Sequence, residues 1–383
     1  MQIQIQASAH SVYRAFTMPP LLQLWLCQQA QGRFREGGMF FYRWDDGFYA
    51  AGTFTTLTPN THITQTWRFS MAATESALDV TLREQDGGTT VDLNYSGGDT
   101  TLDWADALEN LKYLLEVGFD YRIMRRPMLG IYPGELDEGR AAKLGLTGVK
   151  GLYITDVIPG MGAASVLQAS DVLVSLGGMP VTDFPSIQRA VAPYQGGAVV
   201  PVEYYRAGQK LSADMLLSKR PLLELPATPS DLATVMRTNL AEVSAELDAL
   251  VAGVPEDVLS RRPQPEEWSA NENLAHLIWT ARNNQAWLFN MVGGDDSVLW
   301  MDNNDLHLIM STAIYPTNAE IVAEFKRSEA AIIAEVEALP AWLAQTKPLM
   351  MYIGQNLTNI NFHTRLHFEQ IKQAIAAVQQ PTT

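Results

Sequence analysis

His363 and His367 stand one helical turn apart in the stretch NFHTRLHFEQIKQAI, inside an otherwise apolar stripe. Residues at i and i+4 share a helix face with Cβ atoms about 5–6 Å apart, so both imidazoles can reach one divalent ion. The stripe runs through Leu357, Ile360, Thr364, Ile371, Ala374, Ile375 and Val378, a helical-period core face that points the pair into a packed interior. The same spacing also suits two core histidines hydrogen-bonded to neighbours, or a surface pair. Among the six histidines of the chain, His276 in a second predicted helix is a third candidate. Periodicity groups it with Trp279 and Trp287, away from Leu274, Leu277, Ile278, Ala281 and Leu288. That helix is apolar on both sides, so pattern alone does not fix its inner face.

The chain around these residues is long and acidic. Its 383 residues predict two or three domains, and 47% hydrophobic content is ample for packed cores. A net charge of −15 argues against nucleic acid and against an anionic membrane surface as partners, because both would repel it. The lone Cys27 rules out an intramolecular disulfide and reads as a small packed hydrophobe in a reducing compartment. No secretory signal opens the sequence, and no run reaches the roughly 18 apolar residues of a membrane span. The expected location is cytoplasmic.

Periodicity divides the chain. Over residues 1–122, two short helical stretches precede strand-like runs at Met39 to Trp44, Phe48 to Leu57, His62 to Phe69, Ala77 to Glu84 and Thr89 to Tyr95. A long amphipathic helix, from about 102 to 117, closes this segment and must bury its apolar side against the sheet. Residues 125–221 form a second, strand-rich segment, and 222–228 a proline-punctuated linker. From 229 to 383, four amphipathic helices with one longer crossing segment fit a four-helix bundle. Thr228 opens the first, capping boxes at Ser269/Glu272 and Thr317/Glu320 open the next two, and the histidine helix is the fourth. The expected class is a multidomain α+β protein.

Three family resemblances attach to these segments. The run from Ala9 to Phe16, with Trp25, Arg35-Glu36-Gly37-Gly38, Gly52-Thr53-Phe54, Pro59 and Thr66-Trp67, resembles the START-like helix-grip superfamily, in the branch named for homology to activators of a heat-shock-protein ATPase. The resemblance implies a cavity for a small apolar ligand, which Trp44, Tyr49, Trp67 and Tyr95 would line; the same aromatics would equally serve as core. Pro127-Met128-Leu129-Gly130-Ile131 and the run from Gly151 to Val181 resemble a PDZ domain of bacterial HtrA proteases. That resemblance implies capture of a protein C-terminal peptide as an added strand, its carboxylate held by Leu129, Gly130 and Ile131, beside a groove helix at about 186–193. A purely structural role is the alternative. Val166 and Ser170 depart from the family, which usually has glycine there. No protease pattern accompanies the segment.

The stretches Glu267 to Leu277 and His363 to His367 are similar to the DinB-like bundle family. By that resemblance His276, His363 and His367 bind one divalent metal, leaving an open position as catalytic sites do; imidazole suits zinc, nickel, iron and manganese, with zinc or nickel the expected occupant. The resemblance implies a metal-dependent thiol transferase or hydrolase; the competing reading is a non-catalytic adaptor or sensor of three binding modules. His307 reads as a loop residue that could overhang the site or face solvent. Arg365 and Glu369 read as solvated flanks, Asn359 and Asn361 as polar surface or partners of an imidazole N–H, and His10 and His62 as structural. No glycine-rich phosphate loop, nucleophile elbow or cysteine cluster is present.

Overall fold

The computed structural model describes residues 1–97, 102–294, 305–358 and 360–380. They fold as two compact units, one made of Met1–Phe119 together with Glu224–Thr383, the other of Asp120–Leu223. No helix among the described residues is long and apolar enough to cross a membrane.

The first unit begins with strands β1 (Gln2–Ile5), β2 (Gln29–Gly32), β3 (Met39–Arg43), β4 (Tyr49–Thr58), β5 (His62–Phe69), β6 (Ser76–Gln85) and β7 (Gly88–Ser96). They form an antiparallel sheet in the order β1-β7-β6-β5-β4-β3-β2. Period-two alternation decides which face is buried: in β5, Ile63, Gln65, Trp67 and Phe69 point inward while the residues between them are at most half-buried. Asp86 and Gly87, both at positive φ, close the two-residue hairpin between β6 and β7. Helices α1 (Ala9–Thr17) and α2 (Pro19–Trp25) lie between β1 and β2 in the chain, and α3 (Trp104–Val117) follows β7. Asp103 caps α3 by accepting from Ala105 N–H, and Gly118 ends it in the left-handed region. Leu108, Leu111, Leu114 and Leu115 of α3 join the sheet core, and Trp104 meets Trp67 edge-on at 5.4 Å.

The second unit runs α4 (Tyr121–Met124), β8 (Ile131–Gly134), α5 (Glu138–Lys143), β9 (Leu152–Val157), β10 (Val172–Leu176), β11 (Met179–Pro180), α6 (Phe184–Val191), β12 (Val199–Arg206) and β13 (Gln209–Leu216). Its sheet has the order β13-β12-β10-β9-β8, with β11 paired to β10, so β8 is an edge strand. Ser170 sits at φ 73°, so the backbone keeps a glycine-type conformation although serine occupies it. The neighbouring Asp171 is buried and held by both Nε and Nη2 of Arg206, at 2.9 and 2.7 Å.

The bundle comprises α7 (Pro229–Val251), α8 (Glu256–Ser260), α9 (Ala270–Gly293), α10 (Asp305–Ile314), α11 (Asn318–Glu337), α12 (Ala341–Ala344), α13 (Lys347–Thr358) and α14 (Ile360–Gln379). Both capping boxes are formed: Ser269 with Glu272 on α9, and Thr317 with Glu320 on α11. Thr228 caps α7 by accepting from Asp231 N–H. Helix α13, which sequence periodicity did not separate from the histidine helix, packs against α3. Met18 and Leu21, from the N-terminal segment, are buried in the same cluster as Leu232, Met236, Ile332 and Leu349 of the bundle. Lys347 Nζ donates to the Glu116 carbonyl at 2.7 Å.

Candidate metal centre

Helix α9 carries Asn273 and His276 at i and i+3, and α14 carries His363 and His367 at i and i+4, so each helix turns two polar side chains toward the seam where the two pack. His276 and His367 are buried and His363 is half-buried. The three rings converge through their Nε2 atoms, His276 to His363 at 3.4 Å and His367 to His363 at 3.2 Å. Their possible ligand atoms all lie within 4.8 Å of one another.

The surroundings set the state of these rings. Asn273 Nδ2 donates to the Ser269 carbonyl at 3.0 Å, which turns its Oδ1 toward His367 Nδ1, 2.9 Å away. Nδ1 therefore carries the proton and donates, leaving the lone pair of Nε2 aimed at the other two imidazoles. Burial pushes His276 down to about 4, with the nearby His363 adding to the effect. His367 is likewise lowered to about 4 by burial, then by His276 and His363, and burial lowers His363. All three are thus held neutral at pH 7, the form that ligates a metal. Two nitrogens each about 2.0–2.1 Å from a tetrahedral ion lie about 3.3 Å apart, close to the 3.4 and 3.2 Å measured. The donor set fits a divalent ion.

Trp268 flanks the cluster, parallel to His367 at 6.2 Å and tilted over His276 at 5.3 Å. The histidines open on a cleft of about 710 Å³ whose wall includes Glu266, Glu267, Gln370 and Gln373. At the start of α9, Glu272 is gripped by Arg262 Nε at 2.9 Å while its carboxylate accepts from Ser269 N–H. This fixes the first turn of α9 on which Asn273 stands.

Other residues singled out from the sequence fall elsewhere. His307 lies on α10 rather than in a loop, its ring 4.8 Å from Trp279. Arg365 pairs with Glu246 and Glu242 of α7, Glu369 is exposed, and Asn359 lies outside the described residues. Asn361 lines a small pocket with Glu329, Asn239 and Thr364. Of the four aromatics named for a ligand cavity, Trp67 is fully buried, and Trp44 and Tyr95 pack on the same core. Tyr49 is 42% exposed, its ring tilted against Phe41 at 5.5 Å, on the face opposite the buried Ala50. The structure does not bring it to the other three. In the second unit Leu129 is buried, Gly130 has φ 78°, and Ile131 begins the edge strand. Asn273 and Trp268 had no role assigned from sequence; the i, i+3 spacing of Asn273 to His276 was the available signal.

Family models match two parts of the chain. Residues 6–116 match the family model "Activator of Hsp90 ATPase homolog 1-like protein", and residues 239–371 match the DinB superfamily. The chain carries an AHSA1-like domain and a DinB-like domain. A 148-residue stretch is 26% identical to a probable periplasmic serine protease do/HhoA-like of Haemophilus influenzae, covering 37% of this chain and 32% of that protein. Another of 122 residues is 26% identical to the periplasmic pH-dependent serine endoprotease DegQ of Escherichia coli, covering 32% of this chain and 27% of that protein. The chain thus spans about a third or less of the length of these curated relatives. Among solved structures, the Aha1 dimer from Colwellia psychrerythraea is 25% identical, covering 31% of this chain and 95% of its own, at a TM-score of 0.28. CalU16 from Micromonospora echinospora is 24% identical over 28% of this chain and 69% of its own, at a TM-score of 0.24.

Proposed function

We propose that this protein is a cytoplasmic metal-dependent enzyme whose DinB-like domain holds one divalent ion, zinc or nickel, through His276, His363 and His367. The observation that carries the reading is the convergence of the Nε2 atoms of His276 and His367 on that of His363, at 3.4 and 3.2 Å, with His367 locked by Asn273 as a lone-pair donor. Three imidazoles leave a coordination position for a further group. When bound, such an ion supplies the Lewis acidity that turns a thiol or water into a nucleophile near neutral pH. The reading is therefore a thiol transferase or hydrolase acting on a small electrophile. The chain's own residues orient the ligands, shield His367 behind Trp268, and offer Glu266, Glu267 and Gln370 to the substrate in the cleft.

The purified protein should carry about one equivalent of metal, and His363→Ala and His367→Ala should each release it while circular dichroism still reports a folded bundle. Metal-free protein whose melting does not respond to added zinc or nickel would remove the basis for this reading.

A second reading, an adaptor, is favoured by one observation: β8 lies at an open sheet edge beside Gly130, in a chain with HtrA-like relatives. In it, the PDZ-like segment adds a protein C-terminal peptide as a strand on β8, with Leu129, Gly130 and Ile131 receiving the carboxylate, and the helix-grip domain takes a small apolar ligand near Trp44, Trp67 and Tyr95. Pro133 removes one N–H from that edge, so the added strand would have one ladder bond fewer. A C-terminal peptide library should yield a binder lost in Gly130→Val; silence across the library counts against it.

A further inference from the structure

Away from the histidine cluster, a cleft of about 780 Å³ lies where α1, β2 and the β4–β5 turn approach the C-terminal end of α9. It shares no lining residue with the histidine cleft. His10, Tyr13, Arg14, Thr17, Gln31 and Asn60 form its polar wall, and among the described residues none that line it is a carboxylate.

Arg14 is built into this wall. Its guanidinium lies 3.8 Å over the Trp342 ring, and its Nε donates to His10 Nε2 at 2.9 Å. With Nε2 accepting, His10 carries its proton on Nδ1 and donates to Asn60 Oδ1 at 3.3 Å. One face and one edge of the guanidinium are thereby fixed, while among the described residues Nη1 meets only Met18 Sδ, at 3.9 Å. No carboxylate among the described residues lies within ion-pair distance of it. Arg83, Arg262 and Arg282 of the same unit each grip one, and Arg365 grips two. A partly buried, pre-oriented arginine fork without a counter-ion among the described residues, in a chain of net charge −15, is matched to a planar or tetrahedral oxyanion. Phe34 and Val292 supply apolar wall for a carbon body.

We propose that this cleft binds a small organic anion, a carboxylate or a phosphate monoester, through the outer guanidinium edge of Arg14. The site is independent of the metal reading. It is tested by calorimetric titration of chelator-treated protein with benzoate, phenyl phosphate and neutral benzamide. At least one anion should bind one-to-one and saturably, benzamide should not, and Arg14→Gln should weaken binding by about tenfold or more. Which anion binds identifies the oxyanion. Because Arg14→Gln also loosens the Trp342 stack, the Arg14 Nε–H resonance of the unaltered protein is followed in the same titration and should move to saturation with the binding anion. Absence of saturable binding by either anion, an unmoved resonance, or an unchanged Kd in Arg14→Gln overturns the proposal. Asp295 and Asp296 are the next carboxylates along the chain. Binding that emerges only in Asp295→Asn/Asp296→Asn would mean that Arg14 serves an internal partner, and the proposal would fall.

Discussion

His367 Nδ1 donates to Asn273 Oδ1 at 2.9 Å, and this one contact couples the first turn of α9 to the ligand geometry of α14. A hydrogen bond on the far nitrogen of a ligating imidazole fixes both tautomer and ring orientation. Asn273→Ala should therefore weaken zinc binding by about 10–100-fold, measured by competition with a chromophoric chelator. Unchanged affinity would mean that packing alone orients the ring.

Acid should act on the metal-free protein through the same rings. His276 and His367 titrate at about 4 when folded, against an ordinary value near 6.5. Between those values the unfolded chain binds more protons, so their stabilising contribution is complete above about pH 6.5 and is lost as pH falls toward 4. Melting of the chelated protein should drop across that window, and His276→Phe should flatten the drop. A pH-independent melting temperature from 6.5 to 4 would contradict this.

Glu329 should show the opposite sign. Burial without a compensating charge raises its carboxyl to about 7, in the pocket it shares with Met236, Asn239, Phe325 and Thr364. The folded protein then binds the extra proton between about pH 4.5 and 7, so the side chain destabilises increasingly as pH rises through that range. Glu329→Gln should stabilise the protein by about 1–3 kcal/mol at pH 8 and leave it nearly unchanged at pH 4.5, read from urea midpoints.

Leu21 tests whether the N-terminal segment and the bundle melt together. It is fully buried among bundle residues, so Leu21→Ala should cost about 2–5 kcal/mol. The loss should be seen in the same calorimetric transition that added zinc raises. A separate, zinc-insensitive transition moving instead would refute the shared core.

What could be read from the sequence followed how local each signal is. Capping boxes at Ser269/Glu272 and Thr317/Glu320 are short-range chemistry, and they mark the starts of α9 and α11. The spacing of His363 and His367 already sets two imidazoles side by side. His276 was harder, because every residue from Ala270 to Ile278 is buried; a helix packed by α11, α14 and α10 has no polar face to reveal its orientation. Tyr49 stands apart from Trp67 because strand phase decides the face, and Tyr49 falls one residue out of step with the buried Ala50. The burial of Met18 and Leu21 among bundle helices arises between residues more than two hundred positions apart, where no local pattern can show it.

That shared core has a consequence for how the chain can be cut. Residues 120–223 interrupt a single unit whose two parts lie on either side of them in sequence. The bundle excised at residue 224 would lose the side chains of Met18 and Leu21 and bare an apolar socket, whereas the interrupting cassette leaves with its own core intact. Dependence here skips over the neighbouring segment and joins the ends.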